Sequence, residues 1–88
     1  MRNYGLHHYG AGTSDGCLVP YRFESEADAK RWARWSTMLG DARSSVEVVT
    51  EEEAMREVPE AFAEGVTWAP RTVMGAVKAW EPDFEGRD

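Results

Sequence analysis

Hydrophobic and polar residues alternate at the start of the chain and shift to helical spacing after residue 25. Tyr4 and Leu6 fall on one side of an extended segment and His7 and Tyr9 on the other, with His8 ending the first set. That period of two predicts a strand over residues 2–9. Residues 10–16, Gly-Ala-Gly-Thr-Ser-Asp-Gly, are a loop by composition, and residues 17–23 return as a second strand. Pro20 lacks an N–H, so this strand is expected at an edge or with a bulge. Ser25 opens a near capping box, with Glu26 and Asp28 at the positive end of a helix running from Glu26 to Leu39 and stopped by Gly40. Ala29, Trp32, Ala33, Ser36 and Leu39 form its apolar stripe, Trp35 lies at the margin, and Lys30, Arg31, Arg34 and Thr37 are left for solvent.

The second half is less regular. Residues 46–49, Val-Glu-Val-Val, are too short and too β-branched for a helix and predict a third strand. Thr50-Glu51-Glu52-Glu53 is a fuller capping box that starts a second helix at Glu51. Its apolar face, Ala54, Met55, Val58, Ala61 and Phe62, continues to Gly65, with a kink or restart expected at Pro59. Residues 66–68 suggest a short fourth strand. Pro70 suits the first turn of a last helix with Val73, Val77 and Trp80 at i, i+4 and i+7, and a strand over 72–80 is the alternative. Residues 81–88 have the composition of a flexible tail. The order predicts an α+β fold: a small antiparallel sheet of three to four strands with two to three helices packed on one face.

Length and composition narrow this further. Eighty-eight residues make a single domain with one core, and 42% hydrophobic residues, including four Trp, argue against disorder. Cys17 is alone, so no internal disulfide or Cys-rich zinc site is available and a reducing cytoplasm is the expected location. No apolar run is long enough for a signal peptide or a membrane span.

Charge changes the picture most. Acidic and basic side chains balance through residue 50, whereas from Glu51 onward ten carboxylates face only Arg56, Arg71, Lys78 and Arg87, which is the whole of the net −6. Such a field repels nucleic acid and membranes and favours a protein partner with a basic surface. On a continuous helix Glu53, Glu57, Glu60 and Glu64 would lie within about 60° of one another, spaced by roughly one 5.4 Å turn. That spacing is within twofold of the about 3.4 Å per phosphate along a DNA strand. Glu51 and Glu52 lie nearby in the sequence. A merely solvated face is the competing reading.

Other constellations point less clearly to chemistry. Lys30, Arg31 and Arg34 interleave with Trp32 and Trp35, but the acidic second half argues against direct nucleic-acid contact. Trp35 and Trp80 are candidates for self-association into a homodimer. His7 and His8, adjacent on a strand, point to opposite faces and cannot easily share a metal ion. Cys17 with a histidine and Asp15 has the residue types of a thiol nucleophile, without a feature that lowers the thiol pKa. The Gly-rich loop leads into a strand and lacks a phosphate-loop lysine. No catalytic residue, cofactor or metal is assigned, and enzymatic activity is not expected.

Being short, single-domain, acidic and rich in exposed glutamate, the chain resembles in general character the small phage and mobile-element proteins known as anti-CRISPRs. The resemblance implies an inhibitor that binds a protein surface of a bacterial defence complex, often one evolved to hold DNA or RNA. The expected function is therefore a non-enzymatic, nucleic-acid-mimicking inhibitor, with a self-associating structural or regulatory module as the alternative.

Overall fold

The computed structural model describes residues 1–10, 16–39, 44–73 and 77–83. Five strands, β1 (Tyr4–Tyr9), β2 (Cys17–Phe23), β3 (Ser45–Val49), β4 (Thr67–Thr72) and β5 (Lys78–Asp83), form one sheet in the order β3-β1-β2-β5-β4. Every pairing is antiparallel. Two α-helices, α1 (Glu26–Leu39) and α2 (Glu51–Glu57), and a 3₁₀ turn over Pro59–Phe62 complete the described elements.

The α+β class and the antiparallel sheet are as expected, but the sheet has five strands and its helices do not share a face. Tyr4 lies opposite Arg22 and Val49, and Leu6 opposite Pro20 and Glu47, so these residues point to one side. There Tyr4, Leu6 and Val49 meet Ala54, Val58 and Ala61 from α2 and the 3₁₀ turn. Residues of opposite parity, Tyr21, Phe23 and Ala79, meet Ala29 and Trp32 of α1 on the other side. Both faces are covered because alternation in β1 sets Tyr4 and Leu6 against one helix while Gly5, between them, receives the other. A methyl group at Gly5 would overlap the Trp32 ring, with Cη2 only 2.8 Å away.

Capping follows the sequence. Ser25 Oγ accepts from the Asp28 amide at 3.1 Å. Thr50 Oγ1 accepts from the Glu53 amide at 3.2 Å, and the Thr50 amide donates to Glu53 Oε1 at 3.5 Å. Along α1, Ala29 and Trp32 are fully buried and Ser36 nearly so, while Lys30, Arg31, Arg34 and Thr37 are exposed. The expected stop at Gly40 lies outside the described residues.

The expected last helix from Pro70 is instead the β4–β5 hairpin, which also takes in residues 81–83 of the expected tail; residues 84–88 lie outside the described residues. Val73 and Val77 are helically spaced by coincidence and both join the α1-side core. Pro70 is tolerated because β4 is an edge strand, where its missing N–H leaves no neighbour unpaired. Pro20 sits in β2, between β1 and β5, yet the β2–β5 ladder covers only Arg22↔Trp80 and Phe23↔Ala79. Extending that register brings Pro20 opposite Pro82, and neither proline can donate, so pairing ends before them.

Candidate functional site

The acidic segment after Thr50 divides into carboxylates used by the fold and carboxylates left to solvent. Glu51 Oε2 accepts the Tyr4 hydroxyl at 3.0 Å. Burial, and then this bond to a carboxylate, push the Tyr4 phenol above its ordinary pKa. Glu53 Oε1 accepts from the Thr50 hydroxyl at 3.1 Å as well as its amide, and lies 3.7 Å from Arg2 Nη1. Both glutamates therefore help anchor α2. Glu52, Glu57, Glu60 and Glu64 are exposed, and among the described residues none of their carboxylates has a hydrogen bond or ion pair.

The single straight stripe expected of Glu53, Glu57, Glu60 and Glu64 is not formed. Val58 leaves helical geometry at φ −133°, ψ 66°, and the chain restarts at Pro59 as a 3₁₀ turn. The proline ring excludes an α-helical residue before it and removes a backbone donor. Glu60 thus lies on a turn with a longer rise per residue, and Glu64 lies beyond it, just before Gly65 at φ 90°. The buried side survives the break, since Ala54, Val58 and Ala61 all stay in the core. Met55, expected on that side, is 43% exposed among the glutamates.

Glu57 also lines a cavity of about 200 Å³ with Leu6, Leu18, His8, Ser45 and Glu47. The sequence pattern did not single out Glu47; its only signal was sharing parity with Leu6 through the β1–β3 register.

Elsewhere four cations are matched locally: Lys30 with Glu26 at 3.0 Å, Arg31 with Asp28 at 3.7 Å, Arg71 with Glu81 at 2.9 Å, and Lys78 with Glu24 at 3.6 Å. The Arg2 amide donates to Glu26 at 3.0 Å, and this bond, followed by Lys30, holds the Glu26 carboxyl below its usual pKa. Arg22, which alternation alone did not flag, lies over both Trp68 and Trp80, 5.1 and 5.6 Å from the ring centroids. Trp80 is therefore half-buried beneath a guanidinium, whereas Trp35 is 41% exposed and Met38, one turn on, 73%.

Cys17 is exposed opposite Tyr9, while His7 and His8 lie opposite Val19 and Leu18. Asp15, the third member of that set, lies outside the described residues. His8 faces the Glu57 cavity, and His7, on the other side, stacks on Tyr9 at 3.8 Å. Among the described residues no group of three or more His, Cys, Asp or Glu is placed to hold a metal, and no helix is long and apolar enough to cross a membrane.

Burial lowers the His7 pKa from its ordinary 6.5. Between the folded value and 6.5 the unfolded chain binds the extra proton, so stability is present above 6.5 and falls as the pH drops through it. Urea midpoints at pH 7 and pH 5.5 are expected to fall on acidification for wild type and to fall less for His7→Asn. Equal losses would assign the pH dependence to other groups.

No family model, curated protein or solved structure matches this chain.

Proposed function

We propose that this protein is a non-enzymatic binding module that docks the surface carrying Glu52, Glu57, Glu60 and Glu64 on a basic surface of another protein, of the kind that holds nucleic acid, and inhibits by occupying it. The observation that carries the reading is the uneven neutralisation of charge: Lys30 and Arg31 of α1 and Arg71 and Lys78 of the β4–β5 hairpin have carboxylate partners, whereas these four glutamates have none among the described residues. Charges left without internal partners retain their full attraction for an external one and accelerate its approach. The Glu57 cavity adds shape, because Leu6 and Leu18 suit the aliphatic stem of a partner lysine or arginine while Glu47 and Glu57 suit its cation. The recognition is of discrete cations, since the broken helix does not keep a phosphate-like repeat.

Pull-downs with wild-type and Glu52→Lys/Glu57→Lys/Glu60→Lys baits, each repeated over a salt series, test this. A partner held by wild type, released by salt and lost to the variant is the expected outcome. A partner that holds both baits alike at every salt concentration removes the reading.

Exposed Trp35 beside Met38 favours a second reading, self-association through α1. On that reading sedimentation finds a wild-type dimer and a Trp35→Ala monomer; a dimer that persists in the variant excludes this helix as the interface.

A further inference from the structure

A second cavity, of about 180 Å³, opens on the α1 face of the sheet, away from the acidic segment. Its position follows from local rules. His7 and Tyr9 alternate to this side of β1, and Tyr21 reaches it from β2. The missing side chain at Gly5 lets Trp32 descend onto the sheet, and Ser36, one turn later on α1, follows it. Thr72 closes the cavity from the end of β4. The walls are aromatic: His7 and Tyr9 stack within 16° of parallel, and Trp32 meets Tyr21 at 5.5 Å and His7 at 6.3 Å.

Two features distinguish this cavity from ordinary imperfect packing. Ser36, only 7% exposed, lines it, and its hydroxyl has no hydrogen-bond partner among the described residues. That hydroxyl is open to the cavity, since no fully buried polar side-chain atom among the described residues lacks a partner. The Tyr9 and Tyr21 hydroxyls, 3.4 Å apart, place a second donor and acceptor pair at the same cavity. The lining carries no formal charge near neutral pH. Burial keeps His7 neutral and, with the Tyr9 hydrogen bond, raises the Tyr21 phenol well above its ordinary range. The charges that act on Tyr21, Arg71 and Glu81, are paired with each other at 2.9 Å.

We propose that this cavity binds a small, uncharged, planar heterocycle that offers both a hydrogen-bond donor and an acceptor along its edge, the chemistry of a free pyrimidine base or a nicotinamide. An apolar cavity of about 150 Å³ accepts benzene, so this volume fits one ring, and the sugar and phosphate of a nucleotide would have to lie outside it. Aromatic walls take the ring face, and Ser36 with the tyrosine hydroxyls reads its polar edge. The inference stands apart from the acidic surface and does not depend on it.

Titration of the full chain with uracil, cytosine and nicotinamide, followed by amide and indole NMR shifts, is the test, with benzene as an apolar control. At least one heterocycle is expected to shift the Ser36 amide and the Trp32 indole saturably. Ser36→Ala, which retains the fold, should then weaken it about tenfold, as expected for loss of one buried hydrogen bond. Ser36→Leu, which fills the space, should abolish it, and a native spectrum for each variant guards against misfolding. No saturable shift with any of the three, or binding that Ser36→Ala leaves unchanged, overturns the proposal.

Discussion

Replacing Trp32 with alanine is expected to cost about 3–5 kcal/mol, the usual penalty for truncating a buried Trp. A chain of 88 residues has a total stability of roughly 4–13 kcal/mol, at about 0.05–0.15 kcal/mol per residue. The single change therefore removes a large share of it. Trp32 is 2% exposed and touches rings on two strands, Tyr21 and Phe23 from β2 and His7 from β1. Gly5→Ala should cost about 1–3 kcal/mol or more through overpacking, because the new methyl group collides with the indole. The decisive measurement is the double variant. Once the indole is gone the methyl has room, so urea denaturation should find Gly5→Ala nearly neutral in a Trp32→Ala background. Additive costs would show that Gly5 matters for some reason other than seating Trp32.

Reversing Glu52, Glu57 and Glu60 to lysine takes the formal charge from −6 to zero, since each reversal adds two. We expect an affinity loss of at least about 100-fold for the basic partner, equivalent to roughly 2.8 kcal/mol at 1.4 kcal/mol per tenfold. Most of the loss at low salt should be in the association rate, and the wild-type advantage should shrink as salt rises. The corresponding glutamine triple should fall between the two, which separates charge removal from repulsion. The fold should survive, because the three side chains have no hydrogen bonds or ion pairs among the described residues. Glu53 is unsuitable for such a test: it closes the capping box with Thr50, and losing a cap costs about 0.5–2 kcal/mol. Far-UV spectra and sedimentation of each variant exclude unfolding and aggregation. Unchanged affinity in the lysine triple would refute an acidic docking surface.

What could be read from the chain and what could not differ in range. The α1 stripe, the caps at Ser25 and Thr50, the β1–β2 hairpin and the interruption at Pro59 each arise from forces acting within a few residues, and each is legible. The β4–β5 hairpin is obscured in the sequence because Val73, Val77 and Trp80 match a helical period, whereas Val73 and Val77 fall between the two strands and Trp80 lies in β5, within the span of the alternative strand over 72–80. Edge location, which makes Pro70 acceptable in a strand, is a property of the finished sheet. The position of acidic charge was visible as composition, but its division into structural and free carboxylates was not: Glu51 is taken by Tyr4, 47 positions earlier.

Local periodicity and capping thus settle where most helices and strands form, and charge counting settles that the excess is negative and lies after residue 50. Which face each helix covers, which glutamates stay free, and that Ser36 meets His7, Tyr9 and Tyr21 at one cavity all follow from assembly. Gly5 admits Trp32 on one side while Tyr4 and Leu6 hold α2 on the other, and the facing prolines 20 and 82 end the central ladder. These are steric and pairing constraints between distant segments, and they exist only once the strands lie side by side.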